Sequence, residues 1–263
     1  MALLRKAVDI SCMGHNEALK AMRPQMSERE VQGIQEFVHK KYGAEEVGYN
    51  SIVGSGDNGC VLHYMENNKT RIGNEMIVMD VAAEDHGYTA DVTRSEPPNG
   101  KFSTEQKAIY QLVYDAQEAA FRKLKDGVKW SEASIAAREV IATGLIKLGI
   151  TKNKEDNRKY YPHGLSHHIG LDVHDRSYSD TLRKGMVITI EPGIYIPSGS
   201  PCDKKWWGIG VRIEDDVLIR ENDYELLSIL SPRSIGEIEK LMAEQSVLNN
   251  FTLPALPSDK KPF

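Results

Sequence analysis

Met76-Ile77-Val78-Met79-Asp80-Val81-Ala82-Ala83-Glu84-Asp85-His86-Gly87-Tyr88-Thr89-Ala90-Asp91 is the stretch whose reading decides the fold. Met76 to Ala83 is an apolar run of strand length, and Tyr88 to Thr93 is a second one beyond Gly87. Asp80 lies inside the first run, where an acid is costly if buried without a partner. Taken alone it reads as a turn residue closing a strand. A hairpin through Gly87, however, would set Asp80 and Asp91 side by side. Two carboxylates held together repel each other and attract a cation.

The same arrangement returns downstream. Glu191 interrupts Val187-Ile188-Thr189-Ile190 and is followed by Pro192-Gly193, and Glu214 follows Val211-Arg212-Ile213 and precedes Asp215-Asp216. Either one alone reads as a strand-end carboxylate facing water. Its recurrence, twice in each half of the chain, points to a common centre. Four of the eight histidines fall between His163 and His174. His163 and His167 have helical spacing, but Gly164, Gly170 and the absence of an HExxH glutamate argue against a zinc-protease helix. One imidazole ligand, with neighbours that position substrate or move protons, fits this segment; a surface histidine cluster is the plain alternative. Asp80, Asp91, His167, Glu191 and Glu214 thus form an oxygen-rich set with one nitrogen, suited to Mn²⁺, Co²⁺, Fe²⁺ or Mg²⁺. Two such ions can activate a shared water and polarise a carbonyl or phosphoryl oxygen. The residues alone reach a two-metal hydrolase and do not separate a peptide from a phosphate ester.

Around this set the order of elements is α+β. Apolar positions from Leu3 to Met22 repeat at helical spacing, with no capping residue before them. Ser27-Glu28-Arg29-Glu30 is a capping box that opens a helix to about Tyr42, and Ser103-Thr104-Glu105-Gln106 opens another to about Leu124. A further helix fits Ser131 to Leu148, a charged loop fits Lys152 to Lys159, and a last helix fits Ile235 to Leu248. Strands are predicted at 48–53, 61–64, 76–83, 88–93, 187–196 and 208–220. Residues 1–248 are expected to form one catalytic domain, and the proline-containing stretch 249–263 a poorly ordered tail.

Composition sets bounds. Thirty-three basic against 38 acidic residues give a net charge of −5, which disfavours nucleic acid or an anionic membrane as partner. Three widely spaced cysteines form no CxxC pair, so a disulfide framework or structural zinc site is not expected. With no apolar core of a signal peptide in the first ten residues, the expected setting is cytoplasmic.

The chain resembles the creatinase/aminopeptidase P/methionine aminopeptidase superfamily, the pita-bread metallopeptidases, and within it the Xaa-Pro aminopeptidase and prolidase branch. The motifs that carry the resemblance are Asn58-Gly-Cys-Val-Leu-His63-Tyr64, Asp91-Val-Thr-Arg94, Asn99-Gly-Lys-Phe102, His163-Gly-Leu-Ser-His167, Gly170-Leu-Asp-Val-His174-Asp175, Glu191-Pro-Gly-Ile-Tyr195 and Gly210-Val-Arg212-Ile-Glu214-Asp215. It implies a curved, mostly antiparallel sheet in pseudo-twofold halves flanked by helices. It also implies two divalent metal ions, Mn²⁺ foremost, with Co²⁺, Zn²⁺ or Fe²⁺ as alternatives. Asp80 would hold one ion, Asp91 and Glu214 would bridge both, and His167 and Glu191 would hold the second. A metal-bridged hydroxide would cleave the N-terminal Xaa-Pro bond, with Glu191 accepting its proton. His63 and His174 match substrate-contacting histidines, His163 a pocket residue, and Tyr195 and Arg212 residues that orient the carboxylates. The implied partner is a peptide with proline at its second position.

Full-length relatives of that branch carry a further N-terminal domain that helps close the pocket and build oligomers, so a homo-oligomer and the substrate range are open expectations. Three alternatives remain: a prolidase restricted to dipeptides, a methionine aminopeptidase, and a metal-free pita-bread module that binds peptide or protein without catalysis. The filled ligand positions oppose the last.

Overall fold

Residues 1–177 and 179–249 are described in the computed structural model. Two helices open the chain, α1 (Ala2–Ala21) and α2 (Glu28–Lys41). Short strands follow: β1 (Glu46–Val47), β2 (Ile52–Ser55), β3 (Ile77–Asp80), β4 (Ala83–Asp85), β5 (Tyr88–Thr89) and β6 (Thr93–Glu96). Helices α3 (Thr104–Phe121) and α4 (Trp130–Lys147) separate them from β7 (Val187–Ile190), β8 (Gly193–Ile196), β9 (Ile209–Arg212), β10 (Asp215–Ile219) and β11 (Tyr224–Leu226), and α5 (Ile235–Met242) comes last. Both predicted capping boxes form. The Ser27 and Ser103 hydroxyls accept from the backbone N–H groups of Glu30 and Gln106, whose side chains reach back to the cap N–H groups.

Every strand pairing is antiparallel, in the orders β1-β4-β5, β2-β3-β6, β11-β10-β7 and β8-β9. The long strands read from the sequence are each broken in two, and the breaks coincide with the candidate ligands. Strand 76–83 divides after Asp80, and 88–93 divides around Asp91. Strand 187–196 divides at Glu191-Pro192, where proline has no N–H for a ladder. Strand 208–220 divides at Ile213-Glu214 because the backbone turns to other partners there: Ile213 N donates to Pro192 O (3.3 Å) and Glu214 N to Thr93 O (3.1 Å).

Other expectations are corrected. Residues 61–64 are not a strand. Gly56–Cys60 forms a 3-10 turn and the chain then bends, packed so closely on β9 that a Cβ at Gly210 would lie 2.2 Å from Gly59 O. The loop 152–159 contains a 3-10 turn at Glu155–Lys159, and the last helix stops at Met242 rather than Leu248. The tail read at 249–263 lies, apart from Asn249, outside the described residues.

The main core lies between the strands and the α3–α4 pair, built from Ile109, Val113, Phe121, Ile141, Leu145, Ile190, Ile194 and Val211 among others. The two strand groups meet along a seam. Thr93 bridges Glu214, and the Ser95 hydroxyl exchanges hydrogen bonds with the Arg212 backbone (2.8 and 3.0 Å). Arg94, wholly buried, spans the seam: it donates to Thr93 O (2.9 Å), Glu214 O (2.8 Å) and Ser231 O (3.0 Å), and pairs with Asp215 Oδ1 (2.8 Å). Among the described residues no helix is long and apolar enough to cross a membrane.

Candidate metal centre

A cavity of about 290 Å³ opens where the strand breaks converge. Asp80, Asp91, His167, Glu191 and Glu214 all line it, and so do His63, His163, His174 and Arg212. Asp80 stands at the end of β3. The other carboxylates occupy the gaps before β6, after β7 and before β10. His167 lies in an irregular segment docked beside β7, with Thr189 N donating to His167 O (2.9 Å) and Glu191 N to Leu165 O (2.9 Å).

Asp91, His167 and Glu214 each offer one ligand atom such that all three lie within 4.8 Å of one another. His167 Nε2 is 3.3 Å from Asp91 Oδ2, 3.5 Å from Glu191 Oε1 and 4.0 Å from Glu214 Oε1. The remaining oxygens are tied from behind. The Tyr49 hydroxyl lies between Asp91 Oδ1 (2.8 Å) and Asp80 Oδ1, either of which can accept its one proton, Thr93 Oγ1 donates to Glu214 Oε2 (2.6 Å), and Arg212 Nη2 binds Asp80 Oδ2 (2.6 Å). At Glu214 the outer partner fixes the direction of the carboxylate and leaves its other oxygen facing the centre, whereas both Asp80 oxygens are engaged, one by Tyr49 and one by Arg212. Tyr195 touches no carboxylate. Its hydroxyl bonds Arg212 Nη1 (2.9 Å) and His163 Nε2 (2.8 Å), so it braces the guanidinium and the ring that edge the cavity.

The electrostatics describe a site short of positive charge. Burial, with the charges of Asp91, Glu191 and Asp80, raises the Glu214 carboxyl well above its ordinary range. Burial also raises Glu191 to about 7, against the pull of His167. Asp80 is raised by burial although Arg212 opposes the shift. Burial alone would lower His167, but its hydrogen bond to Asp91 and the charges of Asp91 and Glu191 carry it up to about 9. His163, by contrast, is lowered to about 3 by burial and by Arg212. Four carboxylates share one guanidinium and one imidazole. Divalent cations would relieve that imbalance, and the donor set of hard oxygens with one nitrogen fits them.

Three contributors escaped the sequence reading. Tyr49 holds two of the carboxylates, yet a tyrosine in a strand-like stretch carries no local signature. Thr93 figured only as a member of a motif. Asp216, fully buried, accepts from Asp91 N (3.0 Å) and is raised well above its usual range by burial and by Asp91.

The profile of metallopeptidase family M24 matches residues 2–221. The chain belongs to that family. Its M24 fold is the pita-bread fold: it superposes on aminopeptidase PepP of Pseudomonas aeruginosa with a TM-score of 0.88 at 40% identity, covering 92% of this chain and 58% of that one. Escherichia coli aminopeptidase P with the inhibitor Pro-Leu gives a TM-score of 0.89 at 38% identity, with 92% and 58% covered. Among curated relatives, the Xaa-Pro aminopeptidase of E. coli K12 is 39% identical over 254 residues, 92% of this chain and 58% of the relative. The mitochondrial intermediate cleaving peptidase 55 of Arabidopsis thaliana is 36% identical over 245 residues, covering 92% and 50%. The M24 chain therefore spans between half and three-fifths of the length of these relatives. Membership in a metallopeptidase family implies divalent metal ions.

Proposed function

We propose that this chain is an Xaa-Pro aminopeptidase, a hydrolase that removes the N-terminal residue from peptides with proline second, using two divalent cations. The observation that carries this reading is the convergence of four carboxylates and His167 on one cavity, in a chain whose relatives include Xaa-Pro aminopeptidases. Asp80 would hold one ion, Asp91 and Glu214 would bridge, and His167 and Glu191 would hold the other. We take Mn²⁺ as the ion, the setting as cytoplasmic, and residues 1–248 as the catalytic domain.

The cations, when bound, would acidify water and polarise the scissile carbonyl. The protein's own groups do the rest. Glu191, which lines the cavity beside His167, would take the proton released as water attacks. Its Oε2 lies 3.5 Å from His163 Nδ1, which links that carboxylate to the cavity wall. His63 and His174 face the cavity from opposite stretches of chain and supply N–H donors for the carbonyl oxygen as it gains charge. The His174 ring stands edge-on to His167, with ring centres 4.4 Å apart. Arg212 orients Asp80 and opposes the rise that burial imposes on its carboxyl.

The decisive assay compares Arg-Pro-Pro, the dipeptide Gly-Pro and a Met-Ala peptide with protein loaded with Mn²⁺. Cleavage of Arg-Pro-Pro supports the proposal. Cleavage of Gly-Pro alone indicates a prolidase, and of Met-Ala alone a methionine aminopeptidase. Metal analysis should give close to two ions per chain, and Asp91→Ala should abolish hydrolysis with the fold retained. No bound metal together with no hydrolysis would leave the non-catalytic binding module standing.

A further inference from the structure

Glu28 opens α2, is fully buried, and stands far from the ligand set in sequence. Its carboxylate gathers both ends of the segment 55–69. Oε1 accepts from Ser55 N (2.8 Å), Ser55 Oγ (3.3 Å) and Asn58 Nδ2 (3.0 Å), while Oε2 accepts from Tyr64 OH (2.9 Å) and Lys69 N (2.9 Å). The Glu28 N–H in turn donates to Lys69 O (3.0 Å), and Asn58 Nδ2 also reaches Tyr64 OH (2.8 Å). A buried carboxylate with this many donors is strongly held, and it holds its donors just as strongly.

The segment so closed carries part of the cavity wall. Leu62 and His63 line the cavity, and they sit between the two anchored residues Asn58 and Tyr64. His63 is exposed and lies outside any helix or strand, so no ladder of backbone bonds fixes its ring. Tyr64, immediately after it, is 7% exposed and bound to Glu28. The position of the imidazole therefore passes through one buried carboxylate on a helix that contributes nothing else to the cavity lining.

We propose that Glu28 is a positioning residue for His63, with Asn58 and Tyr64 as the intermediate contacts. The proposal rests on the peptidase reading only in what His63 does; where the ring sits is independent of it. A misplaced donor near a reacting carbonyl costs on the order of 10- to 100-fold in rate, whereas a carboxylate that served stability alone would leave the rate of the folded protein unchanged.

Two variants test this, Glu28→Gln and the milder Tyr64→Phe, which removes one donor and keeps the ring. In metal-free protein, the ¹⁵N-labelled histidine ring signals are assigned for His63 with His63→Asn. Both variants should shift or split the His63 signals and leave those of His163 in place. In Mn²⁺-loaded protein, kcat/KM on Arg-Pro-Pro should fall about 10-fold or more in Glu28→Gln. In a His63→Ala background the same substitution should change it by about twofold or less, because the two act through one group. Unchanged His63 signals in both variants overturn the proposal. So does a loss on Glu28→Gln that is the same with and without His63. If the wild-type protein cleaves no Xaa-Pro peptide, the peptidase reading falls, and the ring signals still decide whether Glu28 places His63.

Discussion

Glu96 ends β6 with neither carboxylate oxygen bonded, wholly buried opposite Ile77 of β3. Burial pushes it up to about 8, against the charge of Arg94. Its folded pKa thus lies above the ordinary glutamate value, so between about 4.5 and 8 the folded chain keeps a proton that the unfolded chain has released. The contribution of this residue to stability is then lost as pH rises through that window, the reverse of an ion-paired carboxylate. Glu96→Met should raise the unfolding temperature by several degrees at pH 8 and by much less at pH 5, read by circular dichroism. An equal gain at both pH values would show that the carboxyl is not protonated in the fold. From the sequence Glu96 is only an acid beside two prolines; its depth depends on how β6 is covered, which no local pattern reports.

At the scale of elements, α1 and α2 meet where Gly14 faces His39. A Cβ on Gly14 would lie 2.5 Å from His39 Nε2 and 2.8 Å from its Cδ2, and the ring is buried with both nitrogens unbonded. Alanine favours a helix over glycine by about 1 kcal/mol, but overpacking costs about 1–3 kcal/mol. Gly14→Ala should therefore lower the unfolding temperature, while Gly33→Ala on the exposed side of α2, with nothing within 4 Å, should raise it. Thermal unfolding of the two variants side by side checks the sign of each. The helices themselves were legible in the sequence, since capping boxes and 3.6-residue periodicity are local. Most strands were legible as apolar runs but not as broken ones, the run at 61–64 forms no strand, and β11 was not read from the sequence. A break at Pro192 has a local cause; the one at Glu214 arises from a hydrogen bond to Thr93, 121 positions away.

At the scale of the whole molecule, the two strand groups are joined where Arg94 forks across to Glu214 and Asp215. Removing one member of a buried ion pair costs on the order of 3–5 kcal/mol when the other is left without compensation; here Arg233, 3.6 Å from Asp215 Oδ2, offsets part of that loss. Arg94→Met should show that loss in urea unfolding. It should also retain less Mn²⁺ after gel filtration, because the same strand ends carry Asp91 and Glu214. Loss of stability with full metal retention would mean that the seam and the centre are independent. The four carboxylates that line the cavity were visible from the recurrence of acids in apolar runs and His167 from the cluster of histidines, and the surrounding motifs tied them to a family. What lay beyond reach was the layer behind them, because Tyr49, Thr93 and Glu28 act through contacts that only the folded chain creates.

The breaks in the strands have one more consequence. Asp91, Glu191 and Glu214 sit in gaps between strands and Asp80 at the last paired residue of β3, on one side or the other of the Thr93–Glu214 bridge. Cations bound there would tether the two sides to each other, and thermodynamic reciprocity then runs both ways. Whatever draws the strand groups together tightens the grip on the ions, and the ions draw the strand groups together by the same free energy. A small molecule that wedged the two strand groups apart, at a point away from the ligands, would weaken the hold on the ions.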